Sequence, residues 1–588
     1  MRLAITERIT ELIETADRPL DALAEEYRIK PESLTSLDLT EPASVTAAVN
    51  EILAADKVTL REMLTEICTA DPKRPFITFD GKKLTCAEML NNVKSIVSGM
   101  LDIGIKKGDR TAIILDNCLE FIYAYFALFC LGALPVPVNI RWKKNELFNI
   151  LDDADVSFII CSEKAGTQNY GSFIAEYMKE HEKIKKVFYT DNNLYGESGL
   201  EFASLLASGP LDEEQLEEID PDDIAMISYT SGTTGMPKGV LLKNNNIYKI
   251  SKYSAEYWCA GHEERPFSIA PLYSAQGFLS LLINVATECD FKMISSFNPN
   301  DIVKEISKCE NTIIHTQPTM WNLLLSCRII DFACFDSLNT LVVSGSLCAP
   351  TLAKRIEDKL QCELMNAYGL IEGTSVVTMT RLHDPEDVRF NTVGRPIEGV
   401  EIKIVDENRV TLPKGETGEL AVRGYNMAGY YNNPQKTSEV IDEDGWLYTG
   451  DLARYYDEEN ISIVGRCKDM IIRGGFNVYP SDIEECIMQL PEIQTAAVVG
   501  SPHDILGEEI RAFVVVKAGK ALTDRDIFRH LFTRIANYKM PDKVHFISEM
   551  PIILAGKVDK KELELWAAEG IPENKQVLFL DREDTDEA

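Results

Sequence analysis

The sequence is short of basic residues for its length. Its 588 residues include 60 Lys and Arg against 93 Asp and Glu, which gives a formal net charge of -33. A chain this acidic repels nucleic acid unless a basic patch offsets the charge locally. The runs KIKK near Lys183 and IRWKK near Arg141 are short and typical of solvated faces or loops. We therefore expect no nucleic-acid partner.

The sequence also lacks the residue spacing of a metal centre and of a secretory leader. Its 14 cysteines include no Cys-X-X-Cys pair, and its seven histidines show no ligand spacing with them or with each other. The first residues, MRLAITERIT, carry charges where a signal peptide needs an apolar core. These absences favour reduced thiols, no zinc site and a cytoplasmic protein.

One uncharged run is long enough to raise the question of a membrane span. Residues 121–138 read FIYAYFALFCLGALPVPV, eighteen residues without a charge. Gly132, Pro135 and Pro137 interrupt the last third of this run, and such residues end helices. The run therefore predicts a buried helix to about Leu131, followed by a short buried strand, and no membrane span.

Most of the chain alternates apolar, β-rich runs with amphipathic segments. Runs such as RTAIILD, VSFIICS, IAMISYT and TLVVSGS predict parallel strands joined by helices. From about Val393 short strands separated by turn residues predict an antiparallel or barrel-like section. The predicted fold class is α/β: a large N-terminal domain of parallel-sheet α/β subdomains with a small β-barrel-like section, then a small α+β C-terminal domain.

Composition and pattern set the predicted domain boundaries. Residues 1–55 are acidic, helical by periodicity and without aromatic residues apart from Tyr27, so they predict a helical N-terminal extension. Residues 56–467 form the predicted large domain, and residues 468–588 form the small C-terminal domain with an acidic tail. The extension is interpreted as a helical piece packed on the main body, with a docking or regulatory module as the alternative.

The stretch YTSGTTGMPKGV concentrates hydroxyl groups, glycines and one lysine directly after the buried run IAMISYT. Free backbone N–H groups at the end of a strand, together with hydroxyl donors and a lysine, suit phosphate oxygens. The P-loop motif needs Gly-Lys followed at once by Ser or Thr, whereas Lys238 lies between Pro237 and Gly239. The stretch therefore predicts a different phosphate cradle, with the candidate ligands Thr230, Ser231, Gly232, Thr233, Thr234, Gly235 and Lys238.

This stretch resembles, almost residue for residue, the phosphate-binding signature of the acyl-adenylate-forming enzymes. That superfamily includes acyl-CoA synthetases, adenylation domains of peptide synthetases and beetle luciferases, and the chain is most similar to the acid:CoA ligases. The likeness extends from about Thr59, through KKGDRTAIILDNCLEF, to GKVDKKEL after Gly556. It implies an AMP-forming ligase that uses ATP and Mg²⁺ and acts on a small-molecule carboxylic acid.

Later motifs gain roles through this resemblance. In NAYGLIEG, Glu372 is implied as the magnesium ligand, a hard oxygen donor for a hard cation. The motif NAYG, together with YTGD and VGRCKD further along the chain, is implied to bind the adenine and the ribose. The nucleotide-binding residues implied in this way are Asn366, Ala367, Tyr368, Asp451 and Arg466.

Lys557 lies six residues after Pro551 in PIILAGKVDKKEL, which is the spacing of the family's catalytic lysine. The resemblance implies that it contacts the acyl carboxylate and the α-phosphate, and that Lys557 and Glu372 are the catalytic residues. When a carboxylate attacks phosphorus, two anions approach each other. A fixed cation then stabilises the transition state more than the ground state.

The resemblance also implies a second, thioester-forming step in which a mobile C-terminal domain rotates about a hinge at Lys468. Gly474 and Gly475 would leave room for a pantetheine arm, because glycine permits close backbone approach. The acyl acceptor is then CoA or the phosphopantetheine of a carrier protein. The implied acyl pocket favours a small to medium acid; it comprises Tyr273, Ser274, Gly277, Gly345, Ser346 and Gly369, with Ser344 beside them.

The sequence departs from the family pattern in three segments, at four residues. Ile371 stands where a threonine is usual, Ser274 replaces a histidine of the acyl site, and Ile552 and Ile553 replace a basic and a Thr or Asn residue. Three hypotheses therefore stay open. The chain is an acid:CoA ligase with an altered acyl pocket, an enzyme that loads a carrier protein docked on the N-terminal helices, or a nucleotide-binding pseudoenzyme with a regulatory role.

Overall fold

The structure is a computed structural model that describes residues 56–191, 199–230, 237–258, 265–295, 298–308, 312–336, 338–552 and 557–577, besides the single positions Ile9, Leu20 and Val45. Most of the predicted N-terminal extension, the end of the acidic tail and positions 231–236 of the phosphate cradle lie outside the described residues. The domain boundaries after residues 55 and 467 remain predictions.

Strands before residue 397 build the α/β part of the protein. In chain order they are β1 (Pro75–Phe79), β2 (Lys82–Thr85), β3 (Arg110–Ile114), β4 (Leu134–Pro137), β5 (Phe158–Cys161), β6 (Lys186–Tyr189), β7 (Gly199–Glu201), β8 (Ile224–Thr230), β9 (Lys238–Lys243), β10 (Arg265–Ser268), β11 (Phe291–Met293), β12 (Thr312–Thr316), β13 (Leu338–Val343), β14 (Glu363–Leu370), β15 (Ser375–Met379) and β16 (Arg395–Pro396).

Helices connect these strands and cover the sheets. They are α1 (Leu60–Ala70), α2 (Cys86–Ile103), α3 (Leu119–Leu131), α4 (Lys144–Asp153), α5 (Tyr170–Glu180), α6 (Ala203–Leu206), α7 (Asn244–Trp258), α8 (Ala275–Ala286), α9 (Pro299–Ile306), α10 (Pro318–Ser326), α11 (Pro350–Leu360) and α12 (Glu386–Asn391).

A mixed sheet has the strand order β16-β15-β14-β13-β12-β10-β11-β1-β2. Strands β10, β12, β13 and β14 pair in parallel, and β14 pairs antiparallel with β15. Helices α8 to α11 join the parallel strands, so the carboxyl ends of those strands meet at one edge of the sheet. Ser344 directly follows β13 at this edge, and Tyr368 lies near the end of β14. Open α/β sheets bind ligands at this kind of edge.

A second sheet has the order β4-β3-β5-β6-β7, with every neighbouring pair parallel. Strand β5 is buried along its whole length, as expected of a parallel strand covered on both faces. The parallel strands predicted from RTAIILD, VSFIICS and TLVVSGS are therefore confirmed as β3, β5 and β13.

Helix α3 is apolar on all sides and is buried from Phe121 to Leu131. It ends where Gly132 takes a φ of 69°, a left-handed conformation that suits glycine. Strand β4 follows directly, so the buried helix and strand predicted for residues 121–138 are confirmed. Among the helices described, none is long and apolar enough to cross a membrane.

Beyond residue 400 the chain forms short antiparallel strands, as predicted from Val393 onward. They are β17 (Glu401–Val405), β18 (Gly418–Arg423), β19 (Gly429–Tyr430), β20 (Leu447–Tyr455) and β21 (Ile461–Arg466), with helix α13 (Pro434–Val440) between β19 and β20. The order β17-β18-β20-β21 is antiparallel throughout. Its register sets Asp451 of β20 opposite Arg466 of β21.

Strand β8 does not belong to a parallel sheet, so the expectation for IAMISYT was wrong in this respect. It pairs antiparallel with β9, and β9 pairs antiparallel with β19. The chain returns from Thr230 to Lys238 across seven residues, which is too short for a parallel crossover. Lys238 begins β9, and this confirms that the lysine does not lie on the first turn of a helix.

The C-terminal part is a small α+β unit, as the sequence predicts. Its strands are β22 (Ile471–Arg473), β23 (Phe476–Val478), β24 (Ile493–His503), β25 (Gly507–Val516) and β26 (Lys543–Phe546), and its helices are α14 (Pro480–Met488), α15 (Asp524–Phe532) and α16 (Lys560–Glu569). The order is β23-β22-β25-β24, with β26 beside β25. Lys557 lies three residues before α16.

Candidate active site

Tyr368, Asp451 and Arg466 form one hydrogen-bonded group. The Tyr368 hydroxyl donates to Asp451 Oδ2 at 2.7 Å, and Arg466 Nε lies 3.0 Å from Asp451 Oδ1. Burial and the charge of Asp451 raise the pKa of Tyr368 well above its usual value, so its hydroxyl stays a donor. Residues 83 positions apart thus meet because the end of β14 packs beside the β20–β21 hairpin.

Lys557 joins this group from the C-terminal part of the chain. Burial and the nearby Arg466 lower the pKa of its ammonium, while the charge of Asp451 acts in the opposite direction. Such charge interactions require the three side chains to lie near each other. Within the described residues the ammonium has no hydrogen-bond partner. The structure therefore brings together the predicted catalytic lysine and the predicted nucleotide residues.

Glu372 and Lys238 both contact Tyr430. The Tyr430 hydroxyl donates to Glu372 Oε1 at 3.0 Å, and Lys238 Nζ lies 4.6 Å from the centre of the Tyr430 ring. The backbone N–H of Met427 donates to the Glu372 carbonyl at 2.7 Å and anchors the segment. Burial and Glu372 raise the pKa of Tyr430, so it remains a donor. Tyr430 was not among the residues predicted from the sequence.

The donors around Glu372 fit a magnesium ion that is bound mainly by substrate. Mg²⁺ usually takes one or two carboxylates and completes its shell with water and phosphate oxygens. Tyr430 occupies Oε1 of Glu372, and Oε2 has no hydrogen-bond partner in the part of the chain that is described. Among the described residues no group of three or more His, Cys, Asp or Glu could hold a metal without substrate.

The phosphate cradle is described only at its two ends. Thr230 pairs with Lys238 across the β8–β9 ladder, so the loop leaves and returns at one point. A Cβ on Gly239 would lie 2.9 Å from Ile227 Cγ2 and 3.0 Å from the Tyr229 ring, so packing requires glycine there. The remaining predicted ligands lie outside the described residues: Ser231, Gly232, Thr233, Thr234 and Gly235.

Asn366 and Ala367 differ from Tyr368 in what their side chains contact. The Asn366 amide donates to the Arg389 carbonyl at 2.7 Å, and Ala367 is buried. Gly369 follows with its backbone tight against β15, where an added Cβ would lie 1.5 Å from the Ser375 carbonyl oxygen. The Asn366 backbone N–H and carbonyl also bond to Thr380, so the roles of Asn366 and Ala367 in nucleotide binding stay predictions.

Ser274 is the N-cap of α8. Its hydroxyl donates to the Pro271 carbonyl at 2.7 Å and accepts from the Gly277 N–H at 3.0 Å. Caps of this kind contribute about 1 kcal/mol to helix stability. A Cβ on Gly277 would lie 2.0 Å from the Pro271 carbonyl oxygen, so glycine is required for the turn. Tyr273, just before the cap, is half-buried.

Three polar side chains that were not predicted from the sequence, Gln276, Ser280 and His315, lie with the predicted Ser344 at the carboxyl edge of the mixed sheet. His315 Nδ1 lies 2.6 Å from Ser280 Oγ, and His315 Nε2 lies 2.7 Å from Ser344 Oγ and 3.2 Å from Gln276 Nε2. We call Gln276, Ser280, His315 and Ser344 the polar cluster. A histidine at the end of the apolar strand TIIHT is the signal that could have drawn attention to it.

The remaining predicted residues are Gly345, Ser346, Lys468, Gly474 and Gly475, and Gly345 lies beside the polar cluster. Ser346 is exposed next to Gly345, which has a φ of 86°. Lys468 Nζ lies 3.5 Å from Asp469. The Gly474 N–H donates to the Leu506 carbonyl at 2.7 Å within the C-terminal sheet, and Gly475 faces open space.

Family models match most of this architecture. The model of the AMP-binding enzyme covers residues 64–431, and that of the AMP-binding enzyme C-terminal domain covers residues 482–557. The chain belongs to the AMP-binding enzyme family. The predicted resemblance to acyl-adenylate-forming enzymes is thereby confirmed, and so is the class of ligase that uses ATP to activate an acid.

Individual relatives support the same family. The chain is 31% identical over 536 residues to the long-chain-fatty-acid–CoA ligase of Bacillus subtilis, covering 86% of this chain and 94% of the relative. It is 31% identical over 519 residues to triostin synthetase I of Streptomyces triostinicus, covering 86% and 94%. The structure of ATP-bound MatB from Rhodopseudomonas palustris matches with a TM-score of 0.78 at 25% identity, over 87% of this chain and 100% of MatB.

Proposed function

We propose that the protein converts a carboxylic acid and ATP to an acyl-adenylate and pyrophosphate, and then transfers the acyl group to the thiol of CoA. In the first step a carboxylate oxygen attacks the α-phosphorus and the bond to the β-phosphate oxygen breaks. In the second step the thiol displaces AMP and loses its proton. The observation that carries the proposal is the group of Tyr368, Asp451 and Arg466, with Lys557 near enough to Arg466 and Asp451 to interact with their charges.

Asp451 and Tyr368 suit a nucleoside. Each carboxylate oxygen has two acceptor positions, so Asp451 retains capacity for two vicinal ribose hydroxyls beside its contacts with Tyr368 and Arg466. The Tyr368 hydroxyl bond to Asp451 fixes the orientation of the ring. A fixed ring at the end of β14 offers a flat apolar surface for an adenine.

Lys557 suits the developing charge of the first step. Lys557 is half-buried, burial lowers the pKa of its ammonium, and the ammonium lacks a hydrogen-bond partner among the described residues. A cation of this kind interacts strongly with an anion, because little water has to be displaced when charge appears. Lys557 would therefore stabilise the negative charge that forms where the acid carboxylate meets the α-phosphate.

Lys238 and Glu372 suit the leaving phosphates. Lys238 lies at the end of the cradle, where it would neutralise pyrophosphate oxygens, and Tyr430 holds Glu372 from the side opposite its free carboxylate oxygen. Magnesium, when bound at Glu372, would supply further positive charge to the phosphate oxygens. The chain thus offers separate cations for the reacting phosphorus, Lys557, and for the leaving group, Lys238.

The proposed function has two versions, which differ in whether the acyl acceptor is CoA or the phosphopantetheine of a carrier protein. One relative is named as a CoA ligase and another as triostin synthetase I, so their names do not point to one acceptor. We favour CoA, with Lys468 as the hinge and Gly474 and Gly475 at the thiol channel. Gly475 faces open space on the exposed β22–β23 turn, which would admit a narrow pantetheine arm in a rotated arrangement.

The decisive experiment measures both half-reactions on the full chain. Pyrophosphate exchange is followed over fatty, aryl and functionalised acids, and thioester formation is followed with free CoA and with a phosphopantetheinylated carrier protein. We expect acid-dependent exchange, lost in Lys557→Met, and a thioester on CoA. Thioester on the carrier protein alone would replace CoA as acceptor, and ATP binding without any exchange would favour the pseudoenzyme.

A further inference from the structure

The polar cluster contains a neutral histidine with a defined proton position. Gln276 Nε2 can only donate, so Nε2 of His315 is an acceptor and Nδ1 carries the proton, which it donates to Ser280. Burial lowers the pKa of His315 to about 3, so the ring is uncharged at neutral pH. The edge of the Trp258 ring packs against the imidazole at a centroid distance of 4.7 Å and closes it off on that side.

One side of the polar cluster is accessible. His315 is 4% exposed, whereas Gln276 and Ser344 are half-buried. A Cβ on Gly345 would lie 3.8 Å from Gln276 Oε1 and 3.7 Å from Gln317 Nε2. Glycine therefore leaves both amide groups uncovered by a side chain of residue 345, and we call the place that this side chain would occupy the gap.

The gap lies beside the predicted nucleotide residues. Strands β13 and β14 are neighbours, with Val343 paired to Asn366; Gly345 lies two residues beyond the end of β13, and Tyr368 lies two residues after Asn366 on β14. An acid whose carboxylate reacts beside Tyr368 can extend along the strand ends into this gap. The gap therefore belongs to the space available to the acyl group.

The gap offers unused hydrogen-bonding groups and no positive charge. Within the described residues, Gln276 Oε1 and the side-chain amide of Gln317 have no hydrogen-bond partner. Neither the polar cluster nor Gln317 contains a Lys or Arg, and His315 is neutral. A hydrocarbon tail would bury these amides without partners, and a second carboxylate would enter without a cation.

We propose that the acid carries an uncharged hydrogen-bonding group, such as a hydroxyl or a carboxamide, which binds between Gln276 and Gln317. The proposal rests on the proposed function, since it describes the acid that is adenylated. Gln276 Oε1 accepts from the group, and the Gln317 amide completes its hydrogen bonds. His315 and Ser344 are positioning residues, because they hold the Gln276 amide nitrogen and thereby aim its carbonyl at the gap.

The test compares acids of matched size. Pyrophosphate exchange with the full chain is measured for hexanoate, hydroxyhexanoate and adipate, and for benzoate, hydroxybenzoate and terephthalate. In at least one series we expect the hydroxylated acid to exceed both others in kcat/KM by about 10-fold, the usual value of one well-placed hydrogen bond. A preference for the hydrocarbon acids or the dicarboxylates in both series would overturn the proposal.

Gln276→Met then assigns the preference to the gap. Methionine has a similar length and no hydrogen-bonding amide, so the ratio of kcat/KM for the hydroxylated acid to that for the hydrocarbon acid should fall about 10-fold. Gln215→Met, on an exposed turn far along the chain from the sheet edge, is the matched control and should keep the preference. An undiminished preference in Gln276→Met would refute the role of this residue.

Different results would refute the proposed function and the inference about the acid. If the wild-type chain binds ATP and gives no exchange with any acid, the proposed function is wrong. If exchange occurs without a hydroxyl preference, the ligase assignment stands and the inference about the acid is wrong. Should Gln276→Met fail to fold, the comparison of acids with the wild-type chain still decides the outcome.

Discussion

Tyr430→Phe tests whether one hydroxyl group orients the predicted magnesium ligand. The substitution removes the hydrogen bond from Tyr430 to Glu372 Oε1, which is 3.0 Å long, and keeps the ring that Lys238 contacts at 4.6 Å. A hydrogen bond to a charged group contributes about 1.5 to 3 kcal/mol, or about 10- to 100-fold in an equilibrium constant. Because Glu372 is half-buried, we expect the lower value, about 10-fold.

The assay is pyrophosphate exchange at saturating acid, with ATP and Mg²⁺ varied independently. We expect Tyr430→Phe to raise the KM for Mg-ATP about 10-fold and to recover part of the loss as Mg²⁺ is increased. Tyr431→Phe is the matched control, since the hydroxyl of the neighbouring residue has no hydrogen-bond partner among the described residues. A Tyr430→Phe enzyme within about twofold of wild type would refute the reasoning, as would an equal loss in Tyr431→Phe.

Substitutions of Lys557, Gly475 and His315 test three other features of the structure. Lys557→Met should lower the rate of pyrophosphate exchange about 100- to 1000-fold. It should leave the thermal midpoint of unfolding unchanged or higher, because the folded protein lowers the pKa of Lys557 and so disfavours its charge. A large decrease of this midpoint in a calorimetric scan would contradict the second expectation. Gly475→Asn, which tolerates the φ of 84°, should spare exchange and impair thioester formation, and lost exchange would disprove its assignment to the second step. The pKa of His315 is about 3 in the folded protein and 6.5 in the unfolded chain, so the unfolded chain binds the proton first as pH falls. Between pH 7 and 5, urea unfolding should show that wild type loses about 2 kcal/mol more free energy of unfolding than His315→Asn. Equal losses would show that His315 is not buried in its neutral form.

The sequence predicted secondary structure well where a local pattern, such as an interrupted apolar run, was clear. The helix that ends at Leu131 was readable because Gly132 and the following prolines interrupt an apolar run. Lys238 could be assigned to a strand-side cradle because its neighbours exclude the helical P-loop. The family motifs also named Tyr368, Asp451 and Lys557, and the structure brings these three together.

Other features depend on partners that are distant in sequence. An apolar strand such as β8 looks the same whether its neighbour is parallel or antiparallel, and only its pairing with β9 decides. The contact of Tyr430 with Glu372 spans 58 positions, and that of His315 with Gln276 spans 39. A side chain's chemistry can be read from sequence, but its partner is set by the fold.

The structural role of Ser274 was not predicted, although it depends on local sequence alone. It was interpreted as a departure from the family's acyl site, yet its hydroxyl is committed to capping α8. Serine three residues before the Gly277 N–H is a readable capping pattern, so local chemistry could have predicted this role. Replacing Ser274 by histidine would therefore change the start of a helix as well as the lining of the pocket, and could not test the acyl site alone.

The lowered pKa of Lys557 suggests that nucleotide binding and the approach of the C-terminal part to Asp451 and Arg466 influence each other. Burial and then the nearby Arg466 disfavour this ammonium, and Asp451 opposes both effects, so an anion beside it would be favourable. The phosphates of ATP would supply such an anion, so nucleotide binding and the approach of the C-terminal part should stabilise each other to the same extent. Release of pyrophosphate then removes negative charge from the site and weakens this attraction. Loss of pyrophosphate would in this way also favour the rotation that we propose for the second step.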